Sequence, residues 1–85
     1  MDDDQIRARI EALEDEERRL RADEATAAEH DPEGLAADRD RLAAVKVELD
    51  QLWDLLRQRE ALRRAGQDPD SASMRDAGTV EDYLN

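Results

Sequence analysis

Apolar residues recur along the first third of the chain at alternating steps of four and three residues. Such steps place side chains on one face of an α-helix and are typical of the seam of a two-stranded coiled coil. The positions on this face are Ile6, Ile10, Leu13, Glu17, Leu20, Glu24 and Ala27. The acidic segment 2–4 supplies negative charge where a helix would begin. The pattern predicts a helix over residues 2–30 whose apolar stripe is too narrow to be stable alone.

A second and broader helical pattern covers residues 32–65. Its main stripe consists of Leu35, Leu42, Val45, Leu49, Leu52 and Leu56. Trp53, Leu55 and Leu62 widen this stripe on both sides. One partner helix cannot cover so broad an apolar face, so a second contact surface is expected.

The two patterns are separated by a short break at residues 30–34. Within it, Asp31 suits a helix N-cap and Pro32 suits the first turn of the second helix. Gly66 suits a left-handed C-cap, and Pro69 follows shortly after it. A short connection between two helices predicts antiparallel neighbours.

The register of the two helices follows from folding the chain about residue 31, so that facing residue numbers add up to roughly 62. Apolar residues then face each other in the pairs Leu20–Leu42, Leu13–Leu49, Ile10–Leu52 and Ile6–Leu56. The same register brings the two seam glutamates close to bases, in the pairs Glu17–Lys46 and Glu24–Arg39. The sequence therefore predicts a hairpin over residues 1–66, with the helices at about 2–30 and 32–65.

Residues 67–85 form a polar tail with one apolar cluster near its end. Thr79 and Asp82 have the spacing of a capping box, which favours a helical turn over residues 79–84. Val80, Tyr83 and Leu84 would form the apolar side of that turn. Two interpretations stay open: the tail docks on the second helix, or it is a free peptide for another protein.

Composition limits the class of protein. Eighty-five residues allow one small domain, and the net charge of −11 disfavours binding to nucleic acid phosphates or anionic lipid. No apolar run approaches the ~20 residues that span a membrane, and no signal peptide is recognisable. There is no cysteine for a disulfide. We expect a cytoplasmic protein with no direct contact to nucleic acid or membrane.

Residues that could carry chemistry are sparse. His30 lacks the partner at the spacing of a di-iron helix, because Ala27 stands three residues before it, so a solvated loop histidine is favoured. No hydroxyl has a base placed beside it, and no glycine-rich phosphate loop exists. We expect no catalytic residue, no metal site and no cofactor.

Four arginines cluster near the end of the second helix: Arg57, Arg59, Arg63 and Arg64. They could bind an anion or an acidic peptide. The favoured interpretation is that they balance the helix dipole and the acidic segment 2–4, which the register brings close.

Trp53 is the strongest candidate for a functional residue. It is either part of a surface for self-association or a hot spot for a different protein. Self-association is favoured, because two hairpins packed as a four-helix bundle would bury the uncovered flank. The candidate interaction surface comprises Trp53, Leu55, Leu62, Val80, Tyr83 and Leu84.

The block Asp50-Gln-Leu-Trp-Asp-Leu-Leu-Arg-Gln-Arg59 resembles a family of small uncharacterised actinobacterial proteins. The likeness extends to the acidic start with Ile6, Arg9 and Ile10, to Gly66-Gln-Asp-Pro69 and to Val80-Glu-x-Tyr83. Members of that family often have a histidine after the paired glutamates of the first helix, where this chain has Arg18. The resemblance implies a cytoplasmic bacterial helical protein and supplies no activity.

The sequence thus predicts an all-α fold, an antiparallel two-helix hairpin with a short C-terminal hook that pairs as a dimer. Its expected function is that of a non-enzymatic scaffold or adaptor that contacts itself or an unidentified protein. The alternative is an acidic regulator that mimics nucleic acid and binds a basic protein. The alternative rests on residues 2–31, whose 12 acids and 5 bases give a net charge of −7.

Overall fold

The computed structural model describes residues 1–27 and 32–84, apart from the side chains of residues 25–27, 83 and 84. It contains helix α1 (Asp3–Ala27), helix α2 (Pro32–Arg64), a 3₁₀ turn (Pro69–Ser71) and helix α3 (Ala77–Leu84). None of the described residues belongs to a β-strand. The predicted all-α fold with two long helices packed against each other is confirmed. The prediction of Asp31 as an N-cap lies outside the described residues.

Helix α1 begins with a capping box that the sequence prediction did not identify. The Gln5 backbone N–H donates to Asp2 Oδ1 at 2.8 Å, and the Asp2 backbone N–H donates to Gln5 Oε1 at 2.9 Å. Each side chain thereby satisfies a backbone donor that the first helical turn leaves free.

Helix α2 ends where Gly66 adopts a φ of 71°. The Gly66 N–H donates to the Arg63 carbonyl at 3.1 Å, and the Gln67 N–H donates to the Leu62 carbonyl at 2.8 Å. These two bonds are those of a Schellman motif, so the prediction of a left-handed cap at Gly66 is confirmed.

The core lies along the seam of α1 and α2. Its buried members are Ile6, Ile10, Leu13, Val45, Leu49, Leu52, Leu55 and Leu56. Leu20 is half-buried against them, so the apolar layer thins toward the connection between the helices.

Ion pairs between the two helices show the register directly. Glu24 binds Arg39 at 3.2 Å, as predicted from the antiparallel register. The predicted pair of Glu17 with Lys46 is wrong, because Glu17 pairs at 3.5 Å with Arg21, one turn along its own helix. An i,i+4 partner on the same helix needs no particular register.

Two further pairs cross between the helices on one side of the seam. Arg9 binds both carboxylate oxygens of Glu48, at 2.6 and 3.0 Å, and Arg41 binds both of Glu16, at 2.6 and 2.9 Å. Bidentate pairs of this kind fix orientation as well as attraction. They hold the antiparallel alignment at mid-helix.

Helix α3 starts earlier than the sequence suggested. The Thr79 N–H donates to Asp76 Oδ1 at 2.8 Å, so Asp76 is the cap and Thr79 lies inside the helix. The prediction of Thr79 as the cap of a turn over 79–84 is therefore wrong in its starting point. The Asp76 carboxylate accepts a hydrogen bond at a helix N-terminus as well as the Thr79 hydroxyl would. Capping by Asp76 lengthens the helix at its start by Ala77 and Gly78.

The molecule measures 55 × 26 × 15 Å along its principal axes. Its smallest dimension is close to the ~10–12 Å diameter of a single helix with its side chains. The fold is therefore one layer of helices with two broad faces.

Candidate functional site

One side of α2 holds the C-terminal tail. Gln51 Nε2 donates to the Arg75 carbonyl at 3.1 Å, and Gln58 Nε2 donates to the Ser73 carbonyl at 2.9 Å. The tail comes back along α2 after the cap at Gly66 and packs there through the 3₁₀ turn and α3. We call this side of α2 the tail face; its residues are Gln51, Asp54, Leu55, Gln58 and Arg59.

Asp54 is buried on the tail face and has its charge satisfied. Its Oδ2 accepts a hydrogen bond from Gln58 Nε2 at 2.9 Å and lies 3.3 Å from Arg75 Nε. Gln58 therefore uses its amide nitrogen for both Asp54 and the tail backbone. This arrangement fixes the tail by polar contacts as well as by packing.

Arg59 is the second buried charged residue and is only 5% exposed. Its Nε donates to Asp3 at 2.6 Å, and its terminal NH1 nitrogen donates to Asp70 Oδ1 at 2.9 Å and to the Pro69 carbonyl at 3.2 Å. One guanidinium thus joins the start of α1, the end of α2 and the 3₁₀ turn. The hydrogen bonds to Asp3 and Asp70 raise the pKa of Arg59 above its usual value.

Asp3 also receives a bond from Arg63, at 2.5 Å. The hydrogen bonds from Arg63 and then Arg59 lower the pKa of Asp3 from 3.8 to about 2. Arg64 pairs with Glu60 at 2.7 Å. The interpretation that the arginine cluster balances the acidic start of the chain is therefore confirmed for Arg59 and Arg63.

The structure separates the residues of the predicted interaction surface. Leu55 is only 6% exposed, and Ala72 of the tail packs against the same core cluster. The expectation that Leu55 lies on a flank left uncovered by the hairpin is wrong, because Leu55 belongs to the core cluster of α1 and α2, and the tail packs against that cluster as well. Val80 is 1% exposed and Leu62 is half-buried, while the side chains of Tyr83 and Leu84 lie outside the described part.

Trp53 has a different environment and is 44% exposed. It lies beside a shallow groove of about 330 Å³ on the other side of the seam from the tail. The groove, which we call the Trp53 groove, is lined by Asp3, Arg7, Trp53, Leu56, Arg57, Glu60 and Arg63. Arg7 and Arg57 form no ion pair with any described residue, although other arginines of the hairpin do.

Acidic side chains are numerous in the described part of the chain, but they do not gather into a metal-binding group. No group of three or more acidic or histidine side chains there could hold a metal ion, and His30 lies outside it. Arginine hydrogen bonds lower the pKa of Asp3, Glu16 and Glu48, and the Thr79 N–H lowers that of Asp76. Lowered pKa values mean that the ionised form of these carboxyl groups is the one stabilised by their arginine and N–H partners.

Among the helices that the structure describes, none has both the length and the apolar character needed to cross a membrane.

The model of the family described as "Protein of unknown function (DUF2630)" matches residues 2–85. The chain belongs to the DUF2630 family. Relatives include uncharacterized proteins of Mycobacterium tuberculosis and Mycobacterium bovis, each 42% identical over 81 residues. That match covers 95% of this chain and 88% of each relative. No solved structure matches the chain.

Membership in DUF2630 confirms the resemblance to an uncharacterised actinobacterial family. Neither the family description nor the relatives indicate an enzymatic activity.

Sequence reasoning missed the tail face as a unit. Gln51, Asp54 and Gln58 follow steps of three and four, the spacing that places side chains on one side of a helix. This spacing was a usable signal, since polar side chains there need partners once the tail covers them. Gln51 and Gln58 bind backbone carbonyls of the tail, which every residue type possesses, so the sequence could not identify these two partners.

Proposed function

We propose that this member of the DUF2630 family is a non-enzymatic helical scaffold or adaptor that acts by self-association and protein–protein contact. The observation that carries the proposal is Trp53, a tryptophan 44% exposed beside a groove in a molecule one helix thick. Tryptophan and arginine are the residue types most enriched at the energetic centres of protein interfaces. The Trp53 groove offers both types on a rigid helical pair.

The tail has a supporting part in this proposal. Leu55 and Val80 are buried within the chain and cannot contact a partner. The surface available to a partner is therefore smaller than the predicted interaction surface and is centred on Trp53. We expect the docked tail, which is hydrogen-bonded to Gln51 and Gln58, to hold α2 and Trp53 in place before a partner arrives and so to lower the ordering cost of association. Tyr83 and Leu84 stay predicted contact residues at the end of α3.

The alternative, an acidic regulator that mimics nucleic acid, draws less support. Such a mimic needs an array of free carboxylates along residues 2–31, yet five acids of that segment are each paired with an arginine of the same chain: Asp3, Asp15, Glu16, Glu17 and Glu24. It predicts capture of basic proteins that fades as salt increases, because exposed charges are screened.

The test compares Trp53→Ala with Met74→Ala by light scattering over a range of concentrations. Met74 is a matched control, because it is 45% exposed and lies on the tail side of α2. We expect the unmodified chain to scatter as twice its 9.7 kDa mass, and Trp53→Ala to shift toward 9.7 kDa. Met74→Ala should retain the mass of the unmodified chain.

Circular dichroism of both variants should show unchanged helix content, which separates loss of association from loss of folding. A chain of monomer mass at every concentration, with Trp53 freely quenched by acrylamide, would contradict self-association.

A further inference from the structure

The charges around Trp53 on α2 alternate in sign. Lys46 and Asp50 precede it by seven and three residues, and Arg57 and Glu60 follow it by four and seven. At 100° per residue these five positions occupy a stripe about 80° wide on one side of the helix. Read from Lys46 to Glu60, the stripe is positive, negative, tryptophan, positive, negative; beyond these ends the same side of α2 carries Arg39 and Arg64, which are paired with Glu24 and Glu60.

Most of these charges have no partner inside the chain. Lys46, Asp50 and Arg57 form no ion pair with any described residue, and Glu60 pairs only with Arg64 at the surface. By contrast, the charges that flank the α1–α2 seam are matched, as in Arg9–Glu48 and Arg41–Glu16. The stripe is therefore a charge pattern that the fold itself does not use.

The order of signs distinguishes between partners. A uniformly acidic peptide would meet Asp50 and Glu60, and a uniformly basic one would meet Lys46 and Arg57, so each would face like charges. A two-fold axis beside Trp53 reverses the order of residues on the second copy. Asp50 then faces Arg57 of the second copy, and Lys46 faces its Glu60.

We infer that the partner of the Trp53 groove is a second copy of this chain, with α2 antiparallel to α2 across a two-fold axis beside Trp53. The inference rests on the proposed function and names the partner and its orientation. An interface of this kind must be self-complementary, and the stripe meets that condition at all four charged positions.

The charges and the apolar side chains have different parts in this contact. Each copy carries a net charge of −11, so the copies repel at long range, and the four pairs set the register more than the affinity. Burial of both Trp53 side chains supplies the main attraction.

Charge reversal tests the orientation. Arg57→Asp and Asp50→Arg each place like charges opposite each other twice in the dimer, and each should weaken association about tenfold to a hundredfold. The double variant Asp50→Arg/Arg57→Asp restores opposite charges and should recover dimer mass in light scattering. Arg19→Asp, an exposed change of the same size on another side of the hairpin, is the matched control and should leave the mass unchanged.

A disulfide experiment tests the same antiparallel geometry without reversing any charge. The chain has no cysteine, so Asp50→Cys/Arg57→Cys introduces the only two thiols. Residues seven apart on one helix are about 10.5 Å apart, beyond the ~7 Å reach of a disulfide, so any bond must join two chains. Mild oxidation should give a covalent dimer, whereas Ala12→Cys/Arg19→Cys, with the same spacing on the far side of α1, should form no disulfide between chains and should run as a single chain on denaturing gels.

The outcomes separate this inference from the proposed function. A dimer that survives both charge reversals, or a double variant that stays dissociated, overturns the antiparallel orientation. If Trp53→Ala still dissociates that dimer, the proposed function stands. An unmodified chain that is monomeric throughout overturns both.

Discussion

At the residue scale, Arg59 joins three segments of the chain through one guanidinium. Asp3, Asp70 and the Pro69 carbonyl all accept from it, and its side chain is almost wholly buried. When one member of a buried ion pair is removed, the other loses its hydrogen bonds and the opposite charge that offset its removal from water. Substitution of a buried charged residue such as Arg59 is therefore destabilising.

Arg59→Met should lower the thermal midpoint by about 5–10 °C, because Asp3 and Asp70 lose their shared donor. Arg64→Met is the control, since its pair with Glu60 is exposed and should change the midpoint by no more than about 2–3 °C. Differential scanning calorimetry of the two variants measures the difference. Equal midpoints would show that the guanidinium does not hold the tail.

Asp3 makes the stability depend on pH. Its pKa falls from 3.8 to about 2 on folding, so the folded state binds fewer protons than the unfolded state between these values. The stabilisation is complete above pH 3.8 and is lost as the pH falls through 2. Asp3→Asn removes this contribution.

Urea unfolding at about pH 5 and about pH 2.5 checks this dependence. The unmodified chain should lose more stability between the two values than Asp3→Asn does. Glu16 and Glu48 also have lowered pKa values and titrate in both proteins, so only the difference reports on Asp3. Identical losses would contradict the assignment.

At the element scale, two glycines have opposite roles in ending and starting helices. Gly66 has a φ of 71° with no atom within 4 Å of an added Cβ, whereas Gly78 lies in the first turn of α3 with an ordinary 3.5 Å contact. The effect of replacing Gly66 therefore depends on its backbone conformation, whereas the effect of replacing Gly78 depends on helix propensity.

Gly66→Ala should lower the free energy of unfolding by about 1 kcal/mol, because a Cβ disfavours the left-handed conformation. Gly78→Ala should raise it by up to about 1 kcal/mol, because alanine loses less entropy in a helix. Chemical denaturation of both variants measures the two signs. A stabilised Gly66→Ala would contradict the Schellman cap.

The tail is an element whose packing can be measured through Leu55. In the full chain Leu55→Ala should cost about 2–4 kcal/mol, as expected for a buried leucine. In a chain that ends at residue 68, Leu55 keeps its neighbours in the α1–α2 core but loses the packing of the tail, and the same substitution should cost about 1 kcal/mol less. A double-mutant cycle from urea titrations gives this coupling, and a coupling near zero would place the tail elsewhere.

At the scale of the whole molecule, one layer of helices leaves two broad faces in contact with solvent. The tail covers part of α2 on one side, and the Trp53 groove stays open on the other. A small domain of this shape buries limited apolar surface, and association is one of the few means of burying more.

If two chains associate through the Trp53 groove, folding and association are linked. The thermal midpoint of the unmodified chain should then rise by several degrees when the protein concentration is increased about a hundredfold, while that of Trp53→Ala should not. Calorimetry across that range provides the measurement. A midpoint independent of concentration in both proteins would contradict a linked dimer.

The sequence by itself determined the two long helices, their antiparallel arrangement and the cap at Gly66. Each of these depends on local spacing or on one residue's backbone preference, which the sequence states directly. Membership of the core followed for the same reason, since Ile6, Ile10, Leu13, Leu49, Leu52 and Leu56 of the predicted stripes are all buried along the seam.

Only the tertiary structure decided which part of the broad apolar face is covered by the chain itself. The path of the chain after Gly66 packs the tail against the core cluster that contains Leu55 and buries Val80. Three of the hydrogen bonds that hold the tail to α2 use backbone carbonyls, which carry no sequence signal. Leu55 and Trp53 flank the same seam and looked equivalent in sequence. The tail reaches one of them, and Trp53 stays exposed because it points to the other side of the helix.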